Sequence, residues 1–192
     1  MTLAPLQWLE LLAVALAVLY LLLAIRQNIW CWAAAAVSTC LYLLIMYEAR
    51  LYMESALQLF YLAMAAYGWQ QWRRGGADHA GVKVSTWPWR SHAVAAAVVF
   101  ALVFVSGYLL QRFSDAALPF ADAFTTWAAV VATWMVARKI LENWIYWFVI
   151  DAVSVYLYLS RDLYFTAALF VAYLVMIVFG YLSWRRSMET VE

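Results

Sequence analysis

Seven apolar runs, each about as long as a bilayer is thick, constrain this chain more than any other feature. They cover residues 6–25, 29–47, 51–72, 91–111, 118–137, 143–159 and 162–184. A spanning helix needs ~20 mostly apolar residues, because in lipid every backbone N–H and C=O must be bonded within its own segment. The breaks are short and polar: Arg26-Gln27-Asn28, Glu48-Ala49-Arg50, Ser114-Asp115, Arg138-Lys139 and Ser160-Arg161-Asp162. No run alternates apolar and polar residues with period two, which argues against a barrel. Composition closes off the soluble alternatives: 69% of residues are hydrophobic and 12% charged, against ~25% charged in a soluble domain. The expected fold is an all-α integral membrane protein of seven transmembrane helices, with the lipid bilayer as a partner.

The cations set an orientation. Arg26, Arg73, Arg74, Lys83, Arg90, Arg138, Lys139, Arg185 and Arg186 collect on one side, and Arg50, Arg112 and Arg161 on the other. By the positive-inside rule the N-terminus lies outside and the C-terminus in the cytoplasm. A net charge of +1 leaves no basic field for nucleic acid. The first run is too long for a signal core and no basic residue precedes it, so it reads as a span. Cys31 and Cys40 would lie ~13 Å apart on one helix, too far to bridge.

The two halves resemble each other. Residues 67–74, Tyr-Gly-Trp-Gln-Gln-Trp-Arg-Arg, match residues 179–186, Phe-Gly-Tyr-Leu-Ser-Trp-Arg-Arg, at an offset of 112. Leu51-Tyr52 matches Leu163-Tyr164 at 112, Pro5 matches Pro119 at 114, and the run Asn28 to Trp32 matches Asn143 to Trp147 at 115. These matches divide one transporter domain, residues 1–192, into a first repeat (5–74), a linker helix (88–112) and a second repeat (117–186). The linker returns the chain, so the pattern is a 3+1+3 parallel repeat. Transporters built from such repeats place the substrate near mid-membrane between them.

One polar residue stands out in the sixth span. Trp144, Trp147 and Asp151 are spaced i, i+3, i+7 on one helical face, with Ser154 beside them. A carboxylate at that depth costs at least ~2.5–3.5 kcal/mol, which a partner, water or a cationic ligand must offset. No Lys or Arg sits deep in any span to pair with it. The second span carries Asn28, Trp32, Thr39 and Tyr42, with Ala36 where the 115 register places Asp151. The third adds Gln58 and, one turn on, Tyr61. Trp8, Trp72, Trp87, Trp89 and Trp184 read as an interfacial belt. A carboxylate with tryptophans on one face suits a flat cation, which also gains ~0.5–2 kcal/mol over an indole ring.

Several chemistries are missing. His79 and His92 lie in or at the end of the Arg73–Arg90 loop, so no span offers a haem ligand pair. There is no CxxC or HExxH, so no metal site and no cofactor is expected. Gly76 and Gly81 have phosphate-loop spacing, but Val82 stands where the lysine belongs and Lys83 comes one place late. With no ATP-driving module and no chain of acids, facilitated diffusion is the expected mode.

The run Asn28 to Trp32, the run Tyr67 to Trp72 and the run Glu142 to Asp151 resemble the PnuC family of vitamin transporters, over residues 10–186. The resemblance implies a SWEET-like seven-helix fold, a homotrimer, and movement of substrate down its gradient until a cytosolic kinase traps it. The family's Trp-x-x-Trp-x-x-x-polar pattern maps onto Trp144, Trp147 and Asp151, and its third-helix glutamine onto Gln58. Some nicotinamide riboside carriers of the family have asparagine where Asp151 stands. The expected function is nicotinamide riboside uptake across the bacterial inner membrane, with thiamine, also a cationic ring, as the alternative. Trp32, Trp144 and Trp147 would wall the ring, Asp151 would balance its charge, and Gln58, Tyr61 and Asn143 would complete the substrate-binding set. Two other readings compete: a membrane enzyme using Asp151 with Glu142 or Asp122, which has no accompanying nucleophile, and a non-catalytic assembly subunit.

Overall fold

Wherever the sequence runs apolar the chain is helical. A computed structural model describes residues 5–48, 52–113, 118–160 and 164–189. Among these are seven helices: α1 Pro5–Ile25, α2 Trp30–Glu48, α3 Tyr52–Arg74, α4 Trp89–Phe113, α5 Pro119–Ala137, α6 Asn143–Leu159 and α7 Tyr164–Glu189. The breaks at Ala49-Arg50, Ser114-Asp115 and Arg161-Asp162 lie outside the described residues. Among the described residues, Trp89–Phe113, Pro119–Ala137 and Ala167–Glu189 are long and apolar enough to cross a membrane. Leu11–Ile25 and Trp30–Ile45 are shorter apolar stretches. Pro119 opens α5 and Asp122 lies in its first turn, where a missing N–H and a negative charge both suit the helix N-terminus.

The chain forms two compact units, Met1–Lys83 and Val84–Glu192. In the first, α2 packs against both α1 and α3. Ser38 Oγ–H donates to the Ala13 carbonyl at 2.9 Å and ties α2 to α1. In the second, α4 packs on α5, α5 on α6 and α6 on α7. Its core joins Val99 and Val103 of α4 to Ala123, Ala128, Ala129 and Ala132 of α5 and Ile150 of α6. Alanine on this face lets the helices approach closely, which is how packing is gained where burial from water is not the driving force. Trp127 Nε1–H donates to Ser106 Oγ at 3.0 Å across the α4–α5 contact. Outward-facing positions such as Phe100, Phe104, Tyr108, Val175 and Phe179 are exposed, an arrangement suited to acyl chains rather than water.

The turn joining α1 to α2 and the turn joining α5 to α6 share one backbone. Gln27 and Lys139 both have positive φ, 52° and 50°. Gln27 N–H donates to Ala24 O at 3.0 Å, and Lys139 N–H to Val136 O at 3.0 Å. Asn28 N–H donates to Leu23 O at 2.9 Å, and Ile140 N–H to Met135 O at 2.9 Å. Every one of these pairs is separated by 112 positions. α1 and α5 end 112 apart, and so do α3 and α7 begin.

Candidate functional site

This common register corrects the sequence reading of the second span. There the offset of 115 paired Trp32 with Trp147 and Ala36 with Asp151. The backbone pairs Trp32 with Trp144 and Thr39 with Asp151. The dense run of tryptophans around each turn allows two alignments by letter, and only the turn geometry separates them.

Packing bears out the pairing. Trp32 is buried and meets Trp72 edge-on, ring centroids 5.6 Å apart at 88°. Trp144 is buried and meets Trp184 at 5.4 Å and 89°. Each first tryptophan lies over a glycine of the third helix of its unit, Trp32 over Gly68 and Trp144 over Gly180. The same lock of tryptophan, glycine and tryptophan, all at an offset of 112, pins α2 to α3 and α6 to α7. In both copies the indole Nε1 is buried without a hydrogen-bond partner. Trp32 and Trp144 thus close helix contacts, a role that spacing along one face did not reveal.

The remaining site residues separate by height. Asn143 is fully buried in the α5–α6 turn, where its Nδ2 donates to Ile140 O at 2.6 Å. Its Oδ1 is buried without a partner. Trp147, half-buried, packs against the α4–α5–α6 core. Asp151 stands two turns beyond Trp144, ~10 Å along the axis. It is only 5% exposed, and has no hydrogen-bond or ion-pair partner among the described residues. Ser154 does not cap it; its hydroxyl donates to Ile150 O at 2.9 Å within α6. The counterpart Thr39 is also buried, at 8% exposed, so each unit carries a buried polar residue at this register position. In the first unit Gln58 and Tyr61 are half-buried, one turn apart on α3. Trp32 contacts Gly68, ten residues on, which puts it ~15 Å along α3 from Gln58. The structure therefore does not gather Trp32 with Gln58 and Tyr61.

Sequence reasoning also missed a cluster at the start of α6. Trp87 N–H donates to Glu142 Oε2 at 3.2 Å, and His92 Nδ1 lies 3.0 Å from the Tyr146 hydroxyl. These residues are 54 and 55 positions apart, and no periodic signal links them. Among the described residues no group of His, Cys, Asp and Glu could hold a metal ion.

The profile of the nicotinamide mononucleotide transporter family matches residues 7–186. The chain belongs to that family. Among its relatives, the riboflavin/roseoflavin transporter RibM of Streptomyces davaonensis is 29% identical over 182 residues, covering 92% of this chain and 84% of RibM. The nicotinamide riboside transporter PnuC of Escherichia coli is 26% identical over 184 residues, covering 83% of this chain and 77% of PnuC. The crystal structure of the vitamin B3 transporter PnuC matches with a TM-score of 0.73 at 23% identity, over 95% of this chain and 83% of that one, and so shares its fold. The family and the apolar helices make this a multi-pass membrane protein of a vitamin-transporter family.

Proposed function

We propose that the chain carries nicotinamide riboside across the bacterial inner membrane by facilitated diffusion, as NAD-precursor uptake. The observation that supports this most is Asp151: a buried carboxylate on α6 with no partner among the described residues. A cation on a flat ring would offset its desolvation, and nicotinamide riboside supplies one. In this reading Asp151 balances the pyridinium charge and Trp147 walls the ring. Trp144 and Asn143 of the same unit shape the surroundings. The proposal extends to seven spans in a SWEET-like 3+1+3 parallel arrangement, a homotrimer, an outside N-terminus and a cytoplasmic C-terminus.

A second reading is riboflavin transport, favoured by the 29% identity to RibM. Riboflavin is neutral, and a carboxylate would accept its imide N–H instead of balancing a charge. Thiamine stays in the comparison as a second cationic ring. Purified protein decides among them: a ligand that binds the folded state raises its apparent melting temperature. Stabilisation by nicotinamide riboside, with uptake into liposomes, supports the first reading. Stabilisation by riboflavin alone overturns it, and no response to any vitamin overturns transport of this class.

A further inference from the structure

Segment Val84–Trp89 crosses the α5–α6 turn as a strap. Ser85 N–H donates to Lys139 O at 3.0 Å, and Leu141 N–H donates to Ser85 O at 2.8 Å. The third tie is the Glu142 carboxylate, whose Oε2 accepts Trp87 N–H at 3.2 Å. Its other oxygen faces His92 Nε2 at 4.0 Å, the two side chains being 20% and 27% exposed. His92 also meets Trp87 edge-on, centroids 5.4 Å apart, and reaches Tyr146 through Nδ1. One carboxylate thus links the strap, α4 and the first turn of α6, the helix that carries Trp144, Trp147 and Asp151.

The strap is not needed to shape the turn. The α1–α2 turn has the same φ at its positive position and the same hydrogen bonds. Yet the residue there that corresponds to Glu142 is Trp30, which offers no carboxylate and sets its ring against Trp69 at 5.5 Å. The cluster in the second unit is an addition to a turn that already stands.

The geometry points to Glu142 and His92 as a proton-set clamp on α6, positioning residues that govern how fast substrate is carried; this rests on the transport reading above. When His92 is neutral, Nδ1 accepts from the Tyr146 hydroxyl and Nε2–H points toward Glu142 across a long gap. When it is protonated both ring nitrogens donate, and the carboxylate holds Trp87 N–H with one oxygen and the imidazolium with the other. The ionisable residues nearest the cluster along these elements are Arg90 on α4, Arg138 and Lys139 at the turn, and Tyr146 on α6; Asp151 lies two turns further along α6, and Tyr108, Arg112, Tyr156 and Tyr158 lie further still along α4 and α6. Histidine is the one of these residue types whose ordinary titration falls between pH 5 and 8. Acid closes the clamp, α6 is held to α4 and the strap, and carriage slows.

The test has two readouts on the full-length protein. The first is amide hydrogen exchange over residues 84–89 and 139–142, corrected for the intrinsic pH dependence of exchange. Protection rises at least threefold from pH 8 to pH 5.5 in wild type and stays flat in His92→Gln and Glu142→Gln. The second is nicotinamide riboside uptake in liposomes. The maximal rate at saturating substrate falls at least fivefold over the same range, and the fall disappears in both variants. Asp151→Asn lowers affinity yet keeps the pH-dependent rate. Protection or rate that does not change with pH in wild type, or a dependence that survives in His92→Gln, overturns the clamp. Absence of uptake at every pH, with the protection change present, overturns the transport reading and leaves the clamp standing.

Discussion

Alanine at Gly180 tests the lock. A Cβ there would sit 2.5 Å from both Cη2 and Cζ3 of Trp144 and 2.7 Å from Cε3, well inside van der Waals contact. The indole cannot retreat easily, because it is buried and Trp184, one turn along α7 from Gly180, already packs edge-on against it at 5.4 Å. Overpacking of this kind costs ~1–3 kcal/mol. For a chain of this length each kcal/mol moves the midpoint by ~2–4 °C, so Gly180→Ala should melt ~2–12 °C below wild type in detergent. Trp144→Phe removes the clashing part of the indole and leaves a void of its own. Combining the two should therefore recover at least ~0.5 kcal/mol relative to the sum of the single changes. Gly68→Ala against Trp32 should behave alike, since the joint is the same. The assay is thermal unfolding of all four members of each cycle, read by intrinsic fluorescence and by loss of monodispersity. A Gly180→Ala protein within about 1 °C of wild type, or a strictly additive cycle, would refute the claim that the glycine exists to seat the indole.

Other outcomes follow from the same contacts. Asp151→Asn should weaken nicotinamide riboside binding by roughly tenfold or more, the ~1.5–3 kcal/mol of a charged contact, and by more than Gln58→Ala; titration calorimetry showing unchanged affinity would remove Asp151 from the site. Ser106→Ala deletes the acceptor of the Trp127 N–H at the α4–α5 contact. It should cost about 0.6 kcal/mol, the average for hydrogen bonds between membrane helices, as a small fall in unfolding midpoint. With Cys40 replaced by alanine, a cysteine at Ala77 should react with a membrane-impermeant maleimide only from the cytoplasmic face; labelling of intact cells from outside would reverse the orientation.

Much of the fold was legible because hydropathy in a membrane chain is read against one length scale. The seven runs became seven helices, and the breaks at Arg26-Gln27-Asn28 and Arg138-Lys139 became turns. α3 is apolar only in part: Gln58, Gln70, Gln71, Arg73 and Arg74 dilute it, and its boundary was legible from flanking charge rather than from hydropathy. The repeat was visible in the Tyr-Gly-Trp and Phe-Gly-Tyr runs, where a glycine amid aromatics is informative. It was misregistered by three residues in the second span, because letters around a tryptophan-rich turn cannot report φ. The unpartnered carboxylate was visible as an acid deep in an apolar run with no cation at its height. The packing role of Trp32 and Trp144 was not, since an indole lining a site and an indole plugging a glycine notch carry the same spacing. The strap was invisible because its bonds join residues more than fifty positions apart through backbone groups.

Because the tryptophan–glycine–tryptophan joint exists in two copies while positions 39 and 151 hold threonine and aspartate, the proposed role of Asp151 would assign structural upkeep and cargo choice to different letters of a repeated text. A lineage could reword the second set and change what it imports without retooling the frame that holds the helices. Efforts to redirect such a carrier should leave the joints untouched and vary the two polar register positions beyond them.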